Sequence, residues 1–358
     1  MKILFSVFRY HTNMVSMVRA FKEEGHEVLI VTVNAEENED TFEASPLVID
    51  PLFTSLQVEN IFRSFLPDVI VVREALNERV AKIFTSEARK KKIKVVSYEQ
   101  NSCFSKSRLR ALYKGMHHAA TQMKKGLPVT ELSPKPGELN GFKIPFRKFF
   151  FFPMCLSYSD KEREYCPERV VRITTVGKLG VPRKRLEWVV NAVKPFSNQV
   201  RVNILGSNDI AKYPETRSRE YYDKLYRITK SMRDEGSLRI TENLPFWEMQ
   251  KMYKNTDIFV LSAKGEKFGV SPLEAMESGC AVICADDNGS SPYIENGYDG
   301  LVFNSPSYED FSVCLHSLIE NSQEILRIGR NAKRTIKERH SCKNFVSVFC
   351  DLVGVKVK

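Results

Sequence analysis

Residues 261–279 read LSAKGEKFGVSPLEAMESG, and the organisation of the chain can be worked outward from them. The apolar run ending at Leu261 predicts a strand, Gly265 and Gly269 predict a loop, and Ser271-Pro272 predicts a helix start with serine as N-cap and proline in the first turn. Strand, glycine-bearing loop and helix in that order make the repeating unit of a parallel α/β sheet, whose ligand crevice lies at the carboxyl ends of the strands. The N–H groups of Gly269, Val270 and Ser271 would lack intrahelical partners there and would suit an anion or a hydroxyl. Glu266 and Glu274, eight positions apart, put one carboxylate before the helix and one inside it. On spacing alone two plainer roles compete. Ser271 and Glu274 can form a capping box, and Glu266 can be an ordinary loop charge.

The same alternation recurs on both sides of this unit. Short β-branched runs at Val170–Val176, Val200–Leu205, Leu238–Thr241, Ile258–Leu261, Ala281–Cys284 and Leu301–Phe303 predict strands separated by helices. An earlier series, Ile3–Phe8, Val28–Val33, Val69–Val72 and Ile93–Ser97, alternates with helix-period stretches near 13–24, 55–65 and 77–92. A chain of 358 residues is too long for one hydrophobic core, so two α/β domains are expected, spanning 1–155 and 156–339. Pro145–Pro167 is read as the connection between them, with the aromatic run Phe149–Phe152 as hinge packing in preference to a second apolar contact for a membrane. Residues 341–353 have the pattern of an amphipathic helix, with Phe345, Val346, Val348, Phe349 and Leu352 apolar.

Composition narrows the function. Apolar residues at 42% and charged residues at 27% exclude a disordered or fibrous chain. No apolar run approaches the ~18 residues of a membrane span, and Met1–Phe8 leads straight into a strand, so a cytoplasmic protein is expected. Eight cysteines without a C-x-x-C pair read as reduced thiols. Only Gly25 falls within the first 114 residues, which excludes a dinucleotide or P-loop fingerprint there. Gly177, Gly206, Gly265 and Gly269, all at strand ends, assign any nucleotide to the second domain.

The net charge of +10 is concentrated. Residues 1–88 carry 8 basic and 14 acidic side chains, whereas 89–148 carry 15 basic and 3 acidic, a distribution that points to a phosphate-rich or anionic-lipid partner. Within 105–125, Leu109, Leu112, Tyr113, Met116, Ala120 and Met123 recur at helical spacing, while Lys106, Arg108, Arg110, Lys114, Lys124 and Lys125 take other positions. That basic amphipathic helix either packs its stripe on the sheet or docks on an anionic membrane surface.

Further stretches fall in register with the opening one. They are Val176-Gly177-Lys178-Leu179 with Lys184 six residues after Lys178, Thr256–Ser262 leading into Glu266-x7-Glu274, Gly279-Cys280-Ala281-Val282, and Asn296-Gly297-Tyr298-Asp299-Gly300-Leu301-Val302. Over roughly residues 170–305 the chain resembles the retaining glycosyltransferases of family 4. The resemblance implies the GT-B fold, an α/β architecture of two facing Rossmann-like domains with a deep interdomain cleft. The N-terminal domain would bind the acceptor and the C-terminal one the nucleotide sugar, and segment 340–358 would pack back on the first domain.

It further implies that Lys178 and Lys184 bind the donor diphosphate beside Gly177 and Gly206, which suits ammonium groups facing phosphate oxygens. Glu266 would contact the donor sugar, Glu274 the two ribose hydroxyls, and Lys267, Phe268, Gly269, Val270, Ser271 and Leu273 would hold the sugar and distal phosphate. Glu266, Lys184 and Lys178 would then be the catalytic residues, with no metal and no cofactor required. Three positions depart from the family pattern. Phe8–Asn13 replaces the usual Gly-Gly turn, Tyr98-Glu99-Gln100-Asn101 replaces a histidine, and Tyr293 stands where a glutamate is usual. His11, Thr12, Glu99 and Gln100 are therefore the acceptor-side candidates. The expected activity is transfer of a hexose or N-acetylhexosamine from a nucleoside diphosphate sugar, UDP before GDP, to a lipid-linked surface glycan. The competing readings are a nucleotide-sugar epimerase or phosphorylase of the same architecture, and a basic nucleic-acid-binding protein lacking any recognisable binding motif.

Overall fold

A computed structural model gives the architecture. It describes residues 1–9, 12–34, 45–72, 78–98, 104–105, 107–125, 130–134, 142–145, 149–152, 170–208, 216–266 and 269–354. The chain divides into two compact units, one made of Met1–Ser157 with Arg339–Lys358, the other of Tyr158–Glu338.

The first unit runs β1 (Lys2–Arg9), α1 (Thr12–Glu23), β2 (Glu27–Asn34), β3 (Leu47–Val48), α2 (Ser55–Phe65), β4 (Val69–Val72), α3 (Glu78–Lys90), β5 (Lys94–Tyr98), β6 (Phe104–Ser105), α4 (Arg108–Lys125), β7 (Thr130–Pro134), β8 (Phe142–Lys143) and β9 (Phe149–Phe152). Seven strands pair in parallel in the order β3-β2-β1-β4-β5-β7-β9, and β6 and β8 make a small antiparallel ribbon. All four residues of β4 are buried, as a central parallel strand covered on both faces requires. Phe53, Phe62 and Phe84 fill the core between this sheet and α2 and α3. Thr54 opens α2 with a capping box in which its hydroxyl receives the Gln57 N–H and the Gln57 side chain receives the Thr54 N–H.

One stretch differs from its reading in sequence, and for a second the structure chooses between two readings. Phe149–Phe152 is strand β9, paired with β7 from Glu131↔Phe149 to Pro134↔Phe152, rather than hinge packing. Four consecutive phenylalanines favour a pleated backbone over an irregular connection. In α4 the apolar stripe faces outward. Leu109 is 79% exposed, Tyr113 70%, Met116 57% and Leu112 47%, while Ala111 and Gly115 form the buried side. A Cβ on Gly115 would meet the Pro145 carbonyl at 2.5 Å, so the helix seats through its small residues and leaves its large ones free.

The second unit runs β10 (Val171–Val176), α5 (Leu186–Val193), β11 (Val200–Gly206), α6 (Thr216–Ile228), α7 (Lys230–Asp234), β12 (Leu238–Glu242), α8 (Phe246–Lys254), β13 (Ile258–Leu261), α9 (Ser271–Glu277), β14 (Ala281–Ala285), β15 (Leu301–Phe303), α10 (Tyr308–Ile319) and α11 (Ser322–Arg339). Its six strands are all parallel in the order β12-β11-β10-β13-β14-β15. The order reverses between β10 and β13, and a doubly wound sheet opens its crevice at that switch point. Beyond α11 the chain returns to the first unit as α12 (Cys342–Val353), capped by Ser341 and closed by Gly354 in the left-handed region. Phe345 and Phe349 meet Phe21 of α1 edge-on with centroids 5.4 and 4.8 Å apart, and Lys94 Nζ donates to the Leu352 carbonyl at 3.0 Å. No helix among the described residues is long and apolar enough to cross a membrane.

Candidate functional site

The switch point of the second unit collects most of the predicted donor-side residues. β10 ends at Val176 and β11 at Gly206, and the two loops are laced by Gly177 N–H to the Leu205 carbonyl at 2.9 Å and Leu179 N–H to the Ser207 carbonyl at 3.2 Å. Only glycine fits at 206, because a Cβ there would lie 2.0 Å from the Gly177 carbonyl oxygen. After Lys178, which is exposed, the chain makes a short 3₁₀ turn, Pro182–Lys184, that brings the Lys184 stem back over Gly177. Arg185 then takes the left-handed conformation at φ 51°, stacks over Trp188 at 4.3 Å and donates to the Ser305 carbonyl. The Ser262 hydroxyl lies 3.0 and 3.1 Å from the Lys184 and Arg185 carbonyls, and Lys264 N–H donates to the Arg183 carbonyl at 2.7 Å. The lysine turn is thereby tied to the exit of β13.

Glu266 meets this turn. Its Oε2 accepts from Lys184 Nζ at 2.5 Å and from Arg183 Nη1 at 2.9 Å. Lys184 and Glu266 are largely buried, with side chains 13% and 19% exposed, whereas Arg183 is half exposed. Burial alone would raise the Glu266 pKa, but the two cations outweigh it and hold the carboxyl below its ordinary range. The loop is clamped from behind by Asn288, whose Oδ1 accepts the Glu266 N–H at 2.9 Å, and by the Gly289 N–H donating to the Glu266 carbonyl at 2.8 Å.

Gly269 follows, with an ideal Cβ 2.8 Å from Leu261 Cδ2 and 3.4 Å from Glu266 Cγ, so the loop lies close against its strand. Helix α9 starts one residue earlier than the sequence suggests, with Val270 as N-cap and no side-chain cap, so Ser271 is its first helical residue. The capping-box role for Glu274 therefore fails, and its carboxyl is spent elsewhere. Among the described residues, its one hydrogen-bond partner is Tyr253 Oη of α8, 2.9 Å from Oε2. Burial pushes this carboxyl up to about 7, with the tyrosine bond opposing and neighbouring Glu277 adding to the rise.

Gly177, Lys184, Gly206, Glu266 and Gly269 thus form a contiguous set, with Lys178 on the same loop as Gly177 and Glu274 one helical turn beyond Val270. The N–H groups of Gly269, Val270 and Ser271 make no hydrogen bond among the described residues. Leu273 departs from its predicted role: its side chain is fully buried and its N–H donates to the Val270 carbonyl at 2.9 Å, so neither is offered to a ligand. Lys267 and Phe268 lie outside the described residues, as do His11, Glu99 and Gln100. Thr12 begins α1 at the carboxyl end of β1.

Tyr253, Ser262 and Asn288 hold the site together yet carried no signal in the spacing. A tyrosine near a helix end reads as core, and Asn288 in Asp-Asp-Asn-Gly reads as a turn residue. Among the described residues, no cluster of three or more His, Cys, Asp or Glu side chains is arranged to hold a metal ion.

Chemically, the arrangement offers paired cations, free backbone donors and two carboxylates at the crevice of a doubly wound sheet. Residues 161–335 match the family described as "Glycosyl transferases group 1". A Campylobacter jejuni N,N'-diacetylbacillosaminyl-diphospho-undecaprenol alpha-1,3-N-acetylgalactosaminyltransferase is 35% identical over 85 residues, 24% of this chain and 23% of that protein. The chain spans between about a quarter and about a third of the length of the first curated relatives it matches. A glycosyltransferase from Rickettsia africae superposes with a TM-score of 0.72 at 14% identity, covering 98% of this chain and 97% of that one. Anabaena Alr3699/HepE in complex with UDP superposes with a TM-score of 0.69 at 12% identity, covering 99% and 100%. Neither the epimerase or phosphorylase reading nor the nucleic-acid reading is favoured by these relatives. The two parallel-sheet α/β units have the GT-B fold, and the similarity to group 1 glycosyl transferases lies in residues 161–335.

Proposed function

We propose that the protein is a retaining, family 4-type glycosyltransferase that moves a hexose or N-acetylhexosamine from a nucleoside diphosphate sugar, a UDP sugar in preference to GDP, to a lipid-linked glycan. The observation that carries the proposal is the pairing of Lys184 and Arg183 with Glu266 at the β10/β13 switch point, with Glu274 next along the same crevice. Lys184 and Lys178 face the diphosphate, Glu266 the sugar hydroxyls and Glu274 the ribose hydroxyls, while the free N–H groups of 269–271 receive the distal phosphate. In the transfer, the bond from the anomeric carbon to the phosphate oxygen breaks, and the acceptor oxygen forms its bond on the same face. The acceptor proton passes to the departing phosphate oxygen. The ammonium groups offset the negative charge that builds on the diphosphate, a role a divalent metal fills in other transferases, so chelators leave turnover intact.

The N-terminal unit takes the acceptor, with Thr12, His11, Glu99 and Gln100 as the residues to substitute first. The protein works as a cytoplasmic, peripheral membrane enzyme. The exposed stripe Leu109, Leu112, Tyr113 and Met116 of α4, in a helix without a single acidic residue, enters the interface of an anionic leaflet and brings the enzyme to its lipid-linked substrate.

The test is a thermal-shift series with UDP, GDP, ADP and their sugars, followed by transfer assays on wild type and Lys184→Ala. Selective stabilisation by UDP and its sugars, with transfer lost in a folded K184A protein, is the expected result. Full transfer by K184A, or indifference to every nucleotide, would refute the proposal.

A further inference from the structure

We infer that Tyr253 is a positioning residue for the donor site: its buried hydroxyl fixes one oxygen of the Glu274 carboxylate so that the other stays turned to the vicinal hydroxyls of a ribose. The inference rests on the reading of Glu274 as the ribose-binding residue.

The geometry is specific. Tyr253 is 2% exposed and its ring stands edge-on to Phe259 with centroids 5.6 Å apart, so it has one orientation available. Its backbone carbonyl accepts from Thr256 N–H at 3.0 Å and from Cys280 Sγ at 3.3 Å, which fixes the end of α8 from which the ring projects. A hydroxyl this deeply buried needs a partner, and the one it has is Glu274 Oε2 at 2.9 Å. A purely structural tyrosine at this place would be matched as well by phenylalanine, which fills the same volume without the buried polar atom.

The titratable groups facing the pair are few. Glu277 lies one turn further along α9 and disfavours a charge on Glu274, Cys280 faces the tyrosine, and the tyrosine hydroxyl favours the Glu274 carboxylate. A carboxylate accepts hydrogen bonds from two hydroxyls, whereas a protonated carboxyl has one oxygen fewer to offer. Removing the tyrosine hydroxyl therefore keeps Glu274 protonated to higher pH and weakens nucleotide binding on the acid side.

The experiment is calorimetric titration of UDP into wild type, Tyr253→Phe, Glu274→Gln and the double variant between about pH 5.5 and 9, with melting temperatures in parallel. Expected are a roughly tenfold loss of UDP affinity in Y253F at neutral pH, an upward move of its acid-side midpoint, and a higher donor KM with kcat changed less. In the E274Q background the Y253F effect should vanish, which a packing role would not produce. UDP affinity lost in E274Q but unchanged in Y253F, with the same midpoint, overturns this inference alone. Affinity indifferent to E274Q overturns the ribose reading and the inference with it.

Discussion

Replacing Glu266 by glutamine should tighten the binding of UDP while it stops transfer. Lys184 Nζ sits 2.5 Å from Glu266 Oε2 and both side chains are largely buried, so the carboxylate competes with a diphosphate for that ammonium. A nucleoside diphosphate has to take that ammonium from the carboxylate and accept a second anion beside it. Both effects oppose binding, and both disappear in E266Q. A hydrogen bond to a charged group contributes about 1.5 kcal/mol, and Arg183, half exposed, adds little because solvent screens it. The expected gain is therefore roughly tenfold in UDP affinity. The same loss should lower the melting temperature of the free protein by about 3 to 6 °C, in proportion to the size of the C-terminal unit. Calorimetry with UDP at low and moderate salt, beside melting curves, reads both effects. UDP binding that is equal or weaker in E266Q than in wild type would show that Lys184 does not exchange one anion for another, and the reasoning would fail.

The Glu274 carboxyl, raised to about 7 in the fold against ~4.3 in an unfolded chain, makes ionisation unfavourable to the folded state. Its penalty is absent below about pH 4, grows as pH rises and is complete above 7, so E274Q should be more stable than wild type at pH 8 by up to about 3 kcal/mol and nearly equal at pH 4.5. Melting curves of the two proteins that run parallel across this range would contradict it. Gly206→Ala forces a methyl to within 2.0 Å of a backbone oxygen, so it should cost about 3 kcal/mol and roughly 6 to 12 °C of melting temperature. A wild-type melting point for G206A would show that the two loops can part. The protein should co-sediment with vesicles containing anionic lipid, lose them at high salt, and lose them in the Leu109→Ser, Met116→Ser double variant. Retention unaffected by either change would remove α4 from the membrane.

The strands were legible because a central parallel strand is a short, nearly unbroken apolar run bounded by turn residues. Val69–Val72 and Ile258–Leu261 coincide residue for residue with their readings. Phe149–Phe152 misled because aromatic density is compatible with a hinge or with an edge strand, and only the pairing with β7 decides. In α4 the periodicity disclosed two unlike faces but not which one the protein keeps. Close approach through Ala111 and Gly115, invisible to a hydropathy pattern, decides between the two orientations that the pattern left open. The site was legible as far as the order of its motifs. Its supports were not, since Tyr253, Ser262 and Asn288 act through side-chain hydrogen bonds to other elements, and such bonds have no period. The capping-box reading of Glu274 failed by one residue of helix register, which spacing alone does not resolve.

Because α12 rejoins the first unit after the whole second unit has intervened, the two are unequal as pieces of polypeptide. The second is continuous, whereas the first cannot be completed on the ribosome until α12 has been made. Until then, Phe21 waits uncovered for Phe345 and Phe349. A nonsense codon before residue 341 would thus damage the unit made first of the two, and limited proteolysis of such a truncated product should release a resistant fragment of the second unit and digest the first.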